Sequence, residues 1–371
     1  MKVLVTGGAG FVGSHLVDAL LAQGHQVRVL DALDPQVHGP ERSRPGHLDP
    51  RAELLVGDVR DRELVARALE DVDVVSHQAA AVGVGQSMYE IERYVSVNAV
   101  GAAVLLEEVV ARRDRIRRLT VASSMSIYGE GAYADDEGRM VFPGLRDEAA
   151  LREQRFEMLG PEGKELRPVP TPEEKPLQPT SIYAITKRDH EEMCLAVGAA
   201  YGIPTVALRY FNIYGPRQAL SNPYTGVMAI FSARIMNRNR PLIFEDGLQT
   251  RDFVHVSDIV QANLLALEKD EAVGRVYNVG TGRPTSVRRV AEALSEQLDF
   301  PDPPEVTGRF RAGDIRHCVA DIARARRELG YEPRMSLEEG MRDLLAWLRT
   351  QQPEDRVADA ARELEARGLT R

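Results

Sequence analysis

Cysteine is nearly absent from these 371 residues: Cys194 and Cys318 are the only two, far apart in the chain. That scarcity excludes a disulfide framework and a cysteine-rich zinc site, and it fits a reducing, cytoplasmic setting. Excess positive charge is missing too. The formal net charge is −9, which argues against general affinity for nucleic acid or for an acidic membrane surface. A local anion site is still open, because it needs only a few cations and amides. No run of about 20 apolar residues stands out as a membrane span, and no signal peptide is expected, since the first strand begins at once. No internal repeat is visible.

What is present is a core-forming composition, 43% apolar, over a length that allows two or three units of ordinary domain size. Strand-length apolar runs alternate with helix-like segments: KVLVT (2–6), VRVLD (27–31), ELLVG (53–57), VDVVSH (72–77) and LTVAS (119–123). TVALRY (205–210) and VYNV (276–279) continue the set. Helical periods run from Phe11 to Gln23, Asp61 to Leu69 and Asn98 to Ala111. This order predicts an α/β fold, a Rossmann-type doubly wound parallel sheet.

Residues 130–180 break the pattern with glycine, proline and charge, and with one helical patch near Glu148 to Glu157. They read as a surface insertion, either a lid over a site or a decoration. Prolines 168, 170, 172, 176 and 179 suggest an extended return path. The expected organisation is a Rossmann-type unit over 1–211. A smaller, discontinuous α/β lobe takes 212–250 and 281–345, with 251–280 returning to the first unit. A charged helical tail at 351–371 is expected to be solvated. The arginines of "ARRDRIRR" (111–118) are read as a cationic helix end that complements the dipole.

"GGAGFVG" (7–13) joins the first strand to the first helix. Gly7 permits a sharp turn, Gly10 lets a pyrophosphate approach the backbone, and Gly13 lets helix and strand pack closely. The amides of Phe11 and Val12, at the helix start, then face an anion. Asp31 ends the second strand about 20 residues on, where a carboxylate accepts both ribose hydroxyls and repels a 2′-phosphate. NAD is therefore expected over NADP. Asp58, followed by Val59, is placed to bond an adenine amino group. His77, Ala79 and Ala80 are either a wall beside the cofactor or, for His77, a core histidine.

Ser124 lies at the carboxyl end of a parallel strand, where such sheets bind ligands. Tyr183 and Lys187 of "YAITK" share a helix face. A cation beside a phenol favours phenolate and lowers its pKa, which would make Tyr183 a base.

With the glycine loop, a serine ahead of YxxxK and "RYFNIYGPRQ" (209–218), the chain resembles the extended short-chain dehydrogenase/reductase family. More narrowly it resembles the nucleotide-sugar epimerases and dehydratases, over roughly residues 1–345. The resemblance implies a bound NAD, reduced and reoxidised within one turnover. Tyr183 would take the sugar hydroxyl proton, Lys187 would hold the nicotinamide ribose, and Ser124 would bind the sugar oxygen. It also implies a cofactor-side position for Asn98. Dehydratases of the family carry an Asp-Glu pair where this chain has Met125 and Ser126; decarboxylating relatives keep a Glu at the second position. Subtraction leaves epimerisation at C4 of a UDP- or dTDP-linked hexose as the leading reaction, with a dehydratase, reductase or decarboxylase on the same fold as the alternative enzyme. A silent NAD-binding regulator is the alternative from another class.

The same resemblance places Asn212, Arg251 and Arg311 on the substrate diphosphate, where guanidinium forks suit phosphate oxygens. It places Asp314 on the nucleoside ribose, Phe244 against the base or in the core, and Val227 of "RQALSNPYTGVMAIF" on the substrate side. That segment is similar to a subset acting on dTDP-L-rhamnose or related sugars. Cys318 is either the small side wall of a roomy sugar pocket or a buried small hydrophobe. No metal is expected, because residues 130–180 contain no cysteine. The helices near 98–111 and 183–200 pair subunits in this family, so a homodimer is expected, though the same faces could pack internally.

Overall fold

The computed structural model describes every residue except Thr225, Ala312 and Arg371. Seven parallel strands form the central sheet. They are β1 (Lys2–Thr6), β2 (Gln26–Asp31), β3 (Glu53–Val56), β4 (Val74–His77), β5 (Arg118–Ser124), and the strands Thr205–Tyr210 and Val276–Val279. The spatial order runs β3, β2, β1, β4, β5, Thr205–Tyr210, Val276–Val279. Each run foreseen in the sequence is a strand of this sheet, with ends moved by a residue or two.

Side-chain alternation explains the layers. Val3, Val5, Val27, Val29 and Val74 point to one face, against Leu16, Val17 and Leu20. Leu4, Leu30 and Val75 point to the other, against Val65, Leu105 and Val109. Successive strand residues face opposite sides, so apolar runs without alternation cover both faces. The order reverses beside β1, which pairs with β2 on one side and β4 on the other; Thr6 lies level with both Leu30 and His77. Such a switch point opens a crevice at the strand carboxyl ends.

The second lobe is built on Thr250–His255, which pairs with Asn212–Tyr214, Pro284–Ser286 and His317–Cys318. Strand Thr250–His255 thus leaves the main sheet, although the sequence reading returned it there. Its register partners come from the second lobe, while Val276–Val279 joins the main sheet. Helices Val227–Met236, Val287–Gln297 and Leu337–Leu348 close this lobe around Phe231, Leu294 and Leu344.

The insertion at 130–180 is a three-stranded antiparallel sheet, Ala132–Ala134 between Met140–Val141 and Arg167–Val169, with a short helix Glu148–Arg152. Arg316 is 0% exposed and pairs with Glu157 of the insertion and with Glu245 and Asp246 of the second lobe. Arg146 forks onto both oxygens of Glu245, at 2.9 and 2.7 Å. Glu130 accepts the amides of Arg316 and His317, each at 2.7 Å. The proline-rich return pairs Thr171 with Val319 and Asp321 through the backbone.

Two further features differ from expectation. Residues Ile91–Ala111 form one continuous helix, with a π turn at Val95–Val100, long and apolar enough by length and composition to cross a membrane. It packs along Ile182–Tyr201. The tail helix Val357–Ala366 buries Ala360 and Leu364, and Arg367 lies 4.4 Å over the Tyr89 ring. Its apolar stripe is covered, so it is a docked strap rather than a solvated helix. Of the arginines at 112–118, Arg112, Arg115 and Arg118 bind carbonyls and pair with acids; Arg118, for one, binds Lys269 O and Asp270.

Candidate functional site

A cleft of about 690 Å³ follows the switch point and continues toward the second lobe. Gly7, Gly10, Phe11, Val12, Gly13, Asp31, Asp58, Val59, Ala79, Ala80, Ser124, Tyr183, Lys187, Asn212 and Val227 all line it. The sequence reading and the geometry thus converge on one hollow.

The glycine turn divides its roles as expected. Gly7 has φ +67°, and a Cβ there would sit 2.8 Å from the Ala79 backbone. A Cβ on Gly13 would fall 2.2 Å from Gly7 O. Gly10 meets nothing nearer than Gly7 O at 3.4 Å, so its missing side chain leaves room for a ligand. It also caps helix Phe11–Ala22 without a side-chain acceptor, which leaves first-turn amides for an anion. Asp31 accepts Ala9 N at 3.0 Å and Leu33 N at 2.9 Å, one on each oxygen. Each oxygen keeps a lone pair for a ribose hydroxyl. The residues present fit a dinucleotide.

Asp58 is held by Arg60, whose Nε and second terminal nitrogen reach its two oxygens at 2.9 and 2.7 Å. That hydrogen-bonded guanidinium holds the carboxyl below its ordinary range. Arg60 itself lines the cleft and escaped the sequence reading, as did Gln36, Gln78, Asn222 and Tyr224. Gln36 sits on the short helix Pro35–His38 and the others in loops; none of them carries a spacing signal.

His77 is not brought to the cleft wall. Its ring is buried beneath, with Nδ1 2.6 Å from Thr6 Oγ1 and the ring 4.3 Å from that of His190, edge to face. Asn98 likewise lies behind the cleft. Its amide exchanges hydrogen bonds with both backbone groups of Ala81 and donates to Thr186 Oγ1 at 3.0 Å. The side chain thereby braces the loop after β4 against the helix of Tyr183.

Ser124 ends β5 and lines the cleft together with Tyr183. Ser126 donates to Ser124 Oγ from its amide (3.2 Å) and its hydroxyl (2.9 Å). Burial raises the Tyr183 phenol, and the Ser124 hydrogen bond opposes that rise. The sequence reading expected Lys187 to do the lowering. Here its ammonium is turned onto Ala122 O and onto His190 Nδ1, 3.2 Å away. Burial pulls that ammonium down to about 8.

Toward the second lobe, Asn212 presents a buried amide oxygen with no partner, beside the start of helix Val227–Met236. Arg251, Arg311, Asp314 and Phe244 gather nearby but outside the lining. Arg251 binds the carbonyls of Ile315 and Arg316 and reaches Asp314 at 3.3 Å. Arg311 lies 4.3 Å over the Phe244 ring. Cys318 is not brought to the cleft: it is 1% exposed, with Sγ 3.8 Å from Thr171 Oγ1. Thr171 and the Gly131 backbone enclose it, because its strand pairs inside the second sheet.

The sequence profile of the NAD dependent epimerase/dehydratase family matches residues 3–143 and 157–280. The dTDP-L-rhamnose 4-epimerase of Burkholderia thailandensis is 35% identical over 349 residues, 94% of each chain. The UDP-glucose 4-epimerase of Thermotoga maritima, solved with UDP-glucose, is 32% identical with a TM-score of 0.77, covering 94% of this chain and 99% of that one. The UDP-glucose 4-epimerase of Thermus thermophilus, solved with NAD, is 31% identical with a TM-score of 0.74, covering 95% and 100%.

Proposed function

The chain belongs to the NAD-dependent epimerase/dehydratase family, and we propose that it is an NAD-dependent 4-epimerase of a nucleotide-diphosphate hexose. The observation that carries this reading is one cleft lined by both the glycine turn and the set Ser124, Tyr183 and Lys187. NAD, when bound, supplies a reversible hydride acceptor. The chain's own residues do the rest. Tyr183 takes the C4 hydroxyl proton on its phenolic oxygen and later returns it. Ser124 donates to the oxygen at that carbon and is itself oriented by Ser126. Lys187 supplies the positive charge that favours the phenolate. Asn212 and the amides near Val227 receive the diphosphate, with Arg251 and Arg311 behind them.

Met125 and Ser126 supply neither acid nor base for elimination of water, which favours epimerisation over dehydration. The 35% identical relative makes dTDP-L-rhamnose the first substrate to test. The reading includes a homodimer. Ile91, Val95, Val100 and Ile185 are exposed apolar side chains on the two packed helices, and Val84 and Met88 lie close in sequence. A shared interface would cover such a face. Two free, buried cysteines accord with a cytoplasmic site.

The test is incubation of the purified protein, without added cofactor, with dTDP-L-rhamnose, UDP-glucose, UDP-N-acetylglucosamine and UDP-glucuronate. Conversion of one of them to its C4 epimer is the expected result. Loss of water or carbon dioxide would move the assignment to a dehydratase or decarboxylase, and NAD binding without turnover would move it to a regulator.

A further inference from the structure

Beneath the cleft floor lies a buried group that the scheme above leaves unused: His190, one helical turn after Lys187, with His77 against it. Lys187 and His190 are 3% and 0% exposed. The ammonium gives one N–H to Ala122 O and a second to His190 Nδ1. An imidazole that accepts at Nδ1 carries its proton on Nε2 and is neutral. Burial holds both imidazoles in that state: His190 lies well below its ordinary value, and His77 falls to about 3.

We propose that His190 is a positioning residue for Lys187, a neutral acceptor that fixes the buried ammonium without cancelling its charge. The inference rests on the reading that Lys187 and Tyr183 work as a pair. An apolar side chain at 190 would strand an N–H in the core and favour loss of the proton. A carboxylate would form an ion pair and screen the field meant for the cleft. An imidazole takes that N–H and keeps the ammonium charged, although its own Nε2–H then finds no partner in the core; the third ammonium N–H stays free, and Lys187 lines the cleft. The other groups around Lys187 are held elsewhere, apart from His77 Nε2, which has no partner. From β4, His77 is held at Nδ1 by Thr6. From β5, the Ala122 carbonyl takes one N–H. On its own helix, Glu191 is forked by Arg209 at 2.9 and 2.6 Å. The buried thiol of Cys194 is raised to about 12 and stays neutral. Tyr183 faces the cleft with Ser124.

The chain has five lysines, so ε-13C-lysine NMR of the NAD-loaded protein resolves them, with Lys187→Arg for assignment. His190→Leu is expected to lower the Lys187 titration midpoint by a pH unit or more and to move the alkaline limb of kcat on dTDP-L-rhamnose with it. His190→Gln, which keeps an acceptor, restores both. His190→Asp raises the midpoint while kcat still falls tenfold or more. A midpoint that stays at the wild-type position in folded His190→Leu overturns the proposal; if that variant does not fold, equal midpoints in the wild type, His190→Gln and His190→Asp do so. Should the wild type turn over no sugar nucleotide, the enzyme assignment fails, yet the lysine titrations still decide the role of His190.

Discussion

The cleft beside β1 and the insertion at 130–180 both begin where a strand of the main sheet ends, but they are held by different physics. The cleft edge is made of backbone: a left-handed Gly7, a close approach at Gly13 and an uncapped helix start. The insertion is held by side chains from three separate segments that meet at Arg316. Backbone shape is encoded within seven consecutive residues. A side-chain knot is encoded by residues 130, 157, 245, 246 and 316, whose only link is the folded structure. The first is insensitive to acid and sensitive to a single methyl group. The second should show the opposite behaviour.

The largest effect is expected in the cleft. Tyr183→Phe removes the phenolic oxygen and should lower kcat by about 10³-fold, within the range for a positioned acid or base. NAD should stay bound, as read by co-purified nucleotide. Persistent turnover would show that the cleft assembles a different base. Next comes Arg316→Ala, which takes the buried guanidinium from Glu157 and Asp246 and leaves Glu245 with Arg146 alone. Loss of one member of such a network costs about 3–5 kcal/mol, measurable by urea unfolding. A loss below about 1 kcal/mol would mean the insertion is held by its apolar contacts alone.

The glycine turn allows a sharper division. Gly13→Ala forces a methyl to 2.2 Å from Gly7 O, so stability and NAD retention should fall together. Gly10→Ala meets only Gly7 O at 3.4 Å. It should change stability by less than about 1 kcal/mol yet still lose NAD, because the methyl occupies the anion's approach. Equal behaviour of the two variants in thermal melts and nucleotide retention would collapse the distinction between packing glycine and ligand glycine.

These particulars explain what the sequence revealed. The seven strands were readable because parallel strands buried on both faces are continuous apolar runs. Gly7, Gly10, Gly13, Asp31, Ser124, Tyr183 and Lys187 were readable because turns, strand ends and helix faces impose spacing. Asp58 was placed at the cleft, but its guanidinium partner Arg60 was not foreseen; a pair two residues apart looks like any surface charge. His77 and Asn98 sit near the cleft yet support it from behind, since periodicity gives an element but not which side of a loop a side chain takes. Cys318 went astray for a related reason. Its register in the second sheet depends on Thr250–His255, a strand the sequence assigned to the other unit.

Acid should separate the two regions. Hydrogen bonds from His317 and Arg316 hold the Glu157 carboxyl down to about 2. A depressed carboxylate contributes stability that is complete above its unfolded value, near 4.5, and disappears as pH falls toward 2. Between those limits, amides of the insertion should lose hydrogen-exchange protection before amides of β1 and β4. Glu157→Gln should remove that window and leave the glycine turn unaffected. Simultaneous loss in both regions would show that they unfold as one unit.

The smallest expected effect lies in the cleft, beside Ser124. Ser126 holds Ser124 through two hydrogen bonds, from its amide and from its hydroxyl. Ser126→Ala removes only the second. A neutral hydrogen bond contributes about 0.5–1.5 kcal/mol, so kcat should fall between about twofold and tenfold. KM should hold, because the lost donor acts on the reacting oxygen through Ser124 and not on the diphosphate. A larger fall in kcat would mean that the amide alone does not orient Ser124, and that the two serines work as one relay into Tyr183. A rise in KM instead would place Ser126 on the sugar, and would move the border between the cofactor and substrate ends one residue toward the second lobe.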